Sequence, residues 1–202
     1  MLNCRTVNQV GNCYEEVCSA IDQKTLYIHQ AQKKASMRLV GAYHGCPGSA
    51  TEKYYVSEFP KRDSVVRCMI CTVAFGMGID IPDISHIFHF GISASVLSYW
   101  QEVGRAGREG QAASAYFFAT AASKYHKPIP DKGMLSLVEK LSGDAECARV
   151  EVLQQLTVDG MDRSTMDSLK QRVPCAEDCT ELCDCPLCNC CNLCERRCPC
   201  TQ

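Results

Sequence analysis

Ala74 to Gly110 reads AFGMGIDIPDISHIFHFGISASVLSYWQEVGRAGREG, and the rest of the chain is best understood outward from this stretch. Directly ahead of it lies Val65–Val73, VVRCMICTV, a nearly continuous apolar and β-branched run of the kind that forms a parallel strand buried on both faces. That run enters Ala74-Phe75-Gly76-Met77-Gly78-Ile79-Asp80 with no polar break. A glycine-bearing loop is thereby placed at the carboxyl end of a central strand, the edge at which open α/β sheets bind ligands. Gly76 and Gly78 allow a backbone path, or an approach to phosphate, that a β-carbon would obstruct. Asp80 can accept hydrogen bonds from a ribose or from an arginine. A tight turn without a ligand is the bland alternative, because Gly-x-Gly pairs are common.

Further along, Ser85–Phe90 predicts a second strand, Ser95–Val103 a helix and Ala113–Ala119 a third strand. Upstream, Met37–Tyr43 reads as a strand leading into His44-Gly45, followed by a helix from about Ser49 to Phe59 with Ser49 or Thr51 as cap and Pro60 as stop. Val10, Tyr14, Val17, Cys18 and Ile21 share one helical stripe. A strand should precede that helix, yet few residues stand ahead of it, so the chain reads as opening abruptly. Strands alternating with helices imply an α/β layer with a parallel sheet.

The second half of the opening stretch carries the charge chemistry. Gln101, Glu102, Gly104, Arg105, Gly107, Arg108 and Gly110 end the predicted helix in a glycine-broken turn. Glycine costs ~1 kcal/mol per helix position relative to alanine, so two glycines three apart, each followed by arginine, suggest that something passes close to the backbone. Arginine is suited to developing phosphoryl charge; a solvated basic turn is the alternative. Trp100 and Tyr99 read as core or packing residues.

Composition bounds the rest. The 202 residues suit one ordinary domain plus an appendage, and 46% hydrophobic, 22% charged and 7% aromatic content is ordinary for a globular protein. A formal net charge of −2 gives no basic excess for binding nucleic acid through phosphate neutralisation alone, so any such contact is shared with other protein. No secretory signal opens the chain and no apolar run approaches the ~20 residues of a membrane helix, which predicts an intracellular protein with no membrane partner. Ten of the 17 cysteines lie between Cys175 and Cys200, and in a reducing compartment such clustering points to metal rather than disulfides. Beyond Thr120 strand signals vanish. Met134, Leu135, Val138 and Leu141 form one helical face and Cys147, Val150, Leu153 and Leu156 another, and from Pro174 onward periodicity gives way to cysteine punctuation whose order must come from metal. The five histidines, 29, 44, 86, 89 and 126, are not spaced with the cysteines and read as structural or surface residues.

Ala74–Asp80 with Pro82-Asp83 resembles motif V of the RecQ family of superfamily 2 DNA helicases, and Gln101–Gly110 resembles its motif VI, with His89-Phe90-Gly91 between them in order. Tyr43-His44-Gly45 and Cys4-Arg5-Thr6 are similar to further family segments, the latter to the end of motif IV. Glu109 stands where many members carry aspartate. The resemblance implies a RecA-like second motor domain over about 1–122, a helical part of a zinc-binding module over 123–172 and a cysteine-rich zinc-binding tail over 173–202. It implies that Arg108 is an arginine finger for ATP held mainly by a first RecA-like motor domain, with Arg105 beside it, Gln101 coupling nucleotide to DNA, and Gly76, Gly78 and Asp80 on the nucleotide side. Cys147-Ala148-Arg149-Val150-Glu151-Val152-Leu153 resembles the helix opening the family's zinc module, with Ala148 in place of an arginine. The ligands it implies are Cys147, Cys188, Cys191 and Cys194, with Cys175, Cys179, Cys183, Cys185 and Cys190 as competitors. The resemblance further implies ATP with Mg²⁺ and Zn²⁺ as cofactors, single-stranded and forked DNA as partners, and the nucleus as location. The sequence contains no Gly-x-x-x-x-Gly-Lys-Ser/Thr loop and no Mg²⁺-binding Asp-Glu box, which predicts a chain inactive by itself. A non-catalytic, zinc-stabilised module for binding nucleic acid or protein is the alternative.

Overall fold

The computed structural model describes residues 1–27, 37–45, 50–76, 79–125, 129–172, 185 and 189–198. The chain divides into two compact units, one of Met1–Ala94 with Ser98–Pro130 and the other of Ser95–Leu97 with Asp131–Gln202.

The first unit is built on a parallel sheet of five strands: β1 Leu2–Cys4, β2 Val40–Tyr43, β3 Cys68–Thr72, β4 His86–Phe90 and β5 Ser114–Phe118, in the spatial order β2-β3-β1-β4-β5. Every adjacent pair is parallel, as the alternation of strand and helix signals requires. The strand expected ahead of the first helix is present after all. It is only three residues long, yet it is the central strand: Leu2 pairs with Ile70 on one side and Phe88 on the other. The Met1 amino group donates to the His86 carbonyl at 2.8 Å, which extends the β1–β4 contact.

Side chains of β3 alternate between two faces, as strand geometry dictates. Met69 and Cys71 join Tyr55, Phe59, Phe75, Ile81, Ile84 and Ile87 in one apolar cluster. Ile70 joins Val10, Leu26, Tyr27 and Val40 in the other, beneath helix α1, Val7–Ala20. Met69, Ile70 and Cys71 are all fully buried, which is why this strand reads as an unbroken apolar run. It is shorter than the Val65–Val73 prediction at both ends, starting at Cys68 and stopping at Thr72, where Val73 enters a 3-10 turn running to Gly76.

Helix α1 begins earlier than its apolar stripe suggests. Thr6 caps it: its hydroxyl accepts from the Gln9 N–H at 3.2 Å while the Gln9 side chain accepts from the Thr6 N–H, also at 3.2 Å. After the short helix α2, Gln23–Leu26, come α3, Ala50–Glu58, and α4, Val96–Val103. Ser49, one of the two expected caps of α3, lies outside the described residues.

In the second unit α5, Lys132–Ser142, is capped by Asp131, whose carboxylate accepts from the Met134 N–H at 2.7 Å. Its buried face is Met134, Leu137 and Val138; Leu135 and Leu141, which the periodicity placed on one helical face with Met134 and Val138, are only half-buried. Helix α6, Ala148–Leu156, and an unexpected helix α7, Ser164–Lys170, follow, and a single turn, α8, Asn192–Glu195, lies in the tail. Cys147, Val150, Met166, Leu169, Cys185, Cys190, Cys194 and Cys198 form one buried cluster in which sulfur replaces most of the usual hydrocarbon. Among the described residues no helix is long and apolar enough to cross a membrane.

Candidate functional site

Three strands deliver chain to the same edge of the sheet. Arg5 follows β1, Val73 follows β3, and the turn after β4 leads through Gly91 to Ala94. With Ser98, Gln101, Glu102 and Arg105 of and just beyond α4, these residues line a cavity of about 150 Å³. Its place at the carboxyl ends of the central strands is where parallel sheets present a crevice to ligands.

Arg5 and Glu102 in the cavity wall have identifiable supports. Gly91 has φ +102, and a β-carbon there would sit 2.9 Å from Cγ of Arg5, so the arginine stem can lie across the end of β4 only because residue 91 is glycine. Glu102 is buried and accepts from the Ser93 hydroxyl at 3.2 Å, while Nε2 of the buried His89 stands 3.0 Å from the same carboxylate oxygen. That carboxylate faces both arginines of the cavity. Burial lowers the Arg105 pKa, with neighbouring Arg108 adding to the effect and Glu102 opposing it; burial lowers Arg5 too, again against the pull of Glu102. Two guanidiniums and one buried carboxylate leave a locally cationic wall, a setting for an anionic group.

Beyond Val103 the chain turns sharply. Gly107 has φ +70, and a β-carbon on it would meet the Gln111 carbonyl at 3.2 Å and Ala113 at 3.3 Å. What passes close to this backbone is therefore the chain's own return into β5. The Gly107 N–H donates to the Ile84 carbonyl at 3.1 Å, and the Gln111 side-chain amide donates to the Pro82 carbonyl at 2.9 Å. These two bonds tie the arginine turn to the loop carrying Asp80. Arg108 then projects outward and pairs with Asp80, and Glu109 pairs with Arg62. Both pairs are open to solvent, so each contributes only ~0–1 kcal/mol.

The expected residues are thus distributed as follows. Gln101 and Arg105 line the cavity; Arg108 and Asp80 meet each other on the surface beside it; Gly76 ends the 3-10 turn after β3; Gly78 lies outside the described residues. Trp100 is not a core residue: it is 42% exposed. Tyr99 does pack, its ring 5.0 Å from His89 and 5.4 Å from Phe117. Arg5, Gly91, Ser93 and Glu102 were not assigned roles by sequence. An arginine directly behind a strand and a glycine directly behind another were the signals available.

A second constellation lies in the other unit. The sulfurs of Cys147, Cys190, Cys191 and Cys194 all fall within 4.8 Å of one another. Cys147 stands at the N-terminus of α6 and Cys191 at that of α8, so both helix ends direct sulfur to one point. Cys147 and Cys190 sulfurs are 3.6 Å apart, and the Ala148 N–H donates to Cys191 at 3.3 Å. Hydrogen bonds from the Cys147 thiol, then from the backbone at Cys194 and Ala148, hold the Cys191 thiol down to about 4; the same contact and burial raise Cys147, and burial pushes Cys194 up to about 12. Four thiolates around Zn²⁺ at 2.3 Å would have tetrahedral edges of about 3.8 Å, so the donor set and its spacing fit that ion. Cys147, Cys191 and Cys194 are expected members of this group; Cys190 is one of the competitors, and Cys188 lies outside the described residues.

The family model described as helicase conserved C-terminal domain matches residues 7–110, just over half of the chain and all of the arginine turn. The chain belongs to this helicase family. Its curated relatives include RecQ-family helicases. The human ATP-dependent DNA helicase Q4 is 51% identical over 53 residues, covering 26% of this chain and 4% of that protein. The Saccharomyces cerevisiae ATP-dependent helicase SGS1 is 33% identical over 118 residues, covering 54% of this chain and 8% of that protein. The helicase C-terminal domain described here thus spans a small part of each relative's length. Among solved structures, S. cerevisiae Dbp5 bound to RNA and ADP BeF3 is similar over 77% of this chain and 38% of its own, with 20% identity and a TM-score of 0.47.

Proposed function

We propose that this helicase domain is the second motor domain of a RecQ-like ATP-dependent 3′-5′ DNA helicase, working on ATP held mainly by a first RecA-like domain. The observation that carries the reading is the arginine turn. Gly107, through its φ and its bond to Ile84, aims Arg108 out of the fold while Arg105 and Gln101 stay at the cavity wall. Among the described residues the partner of Arg108 is Asp80, a solvent-exposed carboxylate that a phosphate chain with Mg²⁺ can displace at little cost. In that role Arg108 stabilises charge developing on the transferred phosphoryl group. Arg105 and Arg5, backed by Glu102, register the nucleotide's arrival on α4, and Gln101 passes it to single-stranded or forked DNA. Gly76, Gly78 and Asp80 border the nucleotide. The four-thiol group holds Zn²⁺ and orders the second unit, and the nucleus is the setting that fits a DNA motor.

The sequence carries no lysine-bearing phosphate loop, so the chain by itself is expected to show no DNA-stimulated ATP hydrolysis. The deciding experiment joins it to a domain that carries that loop and replaces Arg108 with alanine. Turnover should fall about 10³-fold or more while ATP affinity stays within a few-fold. Unchanged turnover would sink the finger assignment and favour a non-catalytic, zinc-stabilised binding module.

A further inference from the structure

The two faces of the sheet at β4 and β5 carry aromatic rings in opposite arrangements. On one face His89 and Phe117 pack with Tyr99 of α4, the ring planes crossing at 52–70°. On the other, the parallel register sets Phe88 opposite Tyr116 and Phe90 opposite Phe118. Here Tyr116, Phe118 and Phe90 are 40%, 52% and 41% exposed. His86, Phe88 and Tyr116 form a stack, with centroids 4.7–6.4 Å apart and planes within 13° of parallel. The Ser85 hydroxyl lies 2.9 Å from Nδ1 of His86 and steadies that ring.

Parallel planes accept a further flat group beside them, which crossed rings do not, and these stand open on the edge strand of the sheet. Aromatic side chains on an open sheet face are a surface on which unpaired bases stack. Beside the rings, His86 and Phe88 also line a cleft of about 380 Å³, together with the exposed cations Lys61 and Arg67; Asp83 is the single carboxylate among its lining residues. Lys61 pairs with Glu58 at 2.6 Å in a solvent-open contact, which a phosphate can replace at little cost. Flat rings next to a cationic cleft complement a chain that carries its planes in its bases and its negative charge in its backbone.

We propose that the ring-bearing face of β4 and β5 binds a single strand of nucleic acid, its unpaired bases stacking with Tyr116, Phe88 and His86 and a phosphate resting at Lys61 and Arg67. This surface is a face of the sheet, whereas the cavity of Arg5, Gln101 and Arg105 lies at the carboxyl edge. It does not require the motor reading, and the Arg108→Ala turnover experiment leaves it untouched. With a formal net charge of −2 on the chain, stacking supplies more of the affinity than phosphate neutralisation does.

The test is fluorescence anisotropy of a labelled oligothymidylate of about 15 nucleotides with the full chain, beside an abasic strand of equal length. The oligothymidylate should bind about 5-fold or more tightly than the abasic strand, and Tyr116→Leu, which keeps apolar bulk but removes the plane, should weaken it about 5-fold or more. Tyr116→Phe should bind as the unaltered chain does. Photocrosslinking with 5-iodouracil in the strand gives a readout on the unaltered chain, and the crosslinked peptide should contain Phe88 or Tyr116. Absence of binding, equal affinity for the abasic strand, or crosslinks confined to other segments overturns the proposal. So does full affinity in Tyr116→Leu, which would place the strand at the carboxyl edge instead. Self-association in sedimentation that Tyr116→Leu abolishes and the oligonucleotide does not compete overturns it in favour of a second copy of the chain on this face.

Discussion

Gly107 and Gly11 are the same residue under opposite constraints. Gly107 has φ +70 and no room for a β-carbon beside the Gln111 carbonyl, whereas Gly11 sits within α1 with nothing near its absent side chain. Left-handed backbone costs an L-residue about 1–2 kcal/mol, and the crowding adds to it. Helical glycine, by contrast, gives up about 0.5–1 kcal/mol relative to alanine. Gly107→Ala should therefore destabilise the fold by at least ~1 kcal/mol in urea titration, and Gly11→Ala should stabilise it by about half as much or more. Equal signs for the two would contradict the backbone argument. The spacing of the glycines that precede the two arginines suggested a close approach, but not that at Gly107 the approaching group is the chain's own return to β5. Only tertiary pairing brings Gln111 and Ala113 there. Trp100 misled for a related reason: helical spacing tells which residues share a face, and says nothing about whether another layer covers that face.

At the scale of elements, the cap of α1 is the most exposed to test. Thr6→Ala removes the hydroxyl that accepts from Gln9, and capping losses of this kind cost ~1 kcal/mol. A lowered thermal midpoint with a greater loss of amide protection over Val7–Val10 than over β4 is the expected pattern; unchanged protection would mean that tertiary packing alone fixes the helix start. All five strands and five of the helices were legible, in different degrees. β3 announced itself because both its faces are buried. β1 could be inferred only from the need for a strand, because three residues carry no periodicity. Helix α7 escaped because only Met166 and Leu169 of its seven residues are buried, and two positions three apart are too few to distinguish a period. The cavity wall was half legible: Arg5, Gly91, Gln101, Glu102 and Arg105 all fall in recognisable segments, but only Gln101 and Arg105 were given roles, because the convergence of Arg5, Gly91 and Glu102 comes from strand order β3-β1-β4, which no local pattern encodes.

For the molecule as a whole, the proposed zinc site makes the order of the second unit a matter of thiol protonation. At neutral pH the Cys191 thiol, held at about 4, is already ionised, while Cys147 and Cys194, both raised, keep their protons. Metal needs thiolate. Loading at pH 7 should therefore release at least two protons, from Cys147 and Cys194, and affinity should weaken as pH falls through the neutral range while Cys191 stays ionised down to about pH 4. Calorimetry in buffers of different ionisation enthalpy counts those protons, and a release of fewer than two would contradict the assignment. Chelation should open α6 and α7 to hydrogen exchange, since Val150, Met166 and Leu169 share their cluster with the cysteines, and leave β3 protected.

The placement of β1 has a consequence in time. Its partners lie far along the chain: Leu2 pairs with Ile70 and with Phe88, 68 and 86 positions on. Contacts so distant in sequence slow folding, because loop closure precedes any gain from pairing. At roughly 5–20 residues per second, these first strand residues wait on the order of 4–17 seconds after synthesis before β4 exists to receive them. Until then α1 has no complete sheet to lie on, and its stripe of Val10, Tyr14, Val17 and Ile21 stays open to water or to a chaperone. The nascent chain, rather than the finished one, is where this fold is most vulnerable.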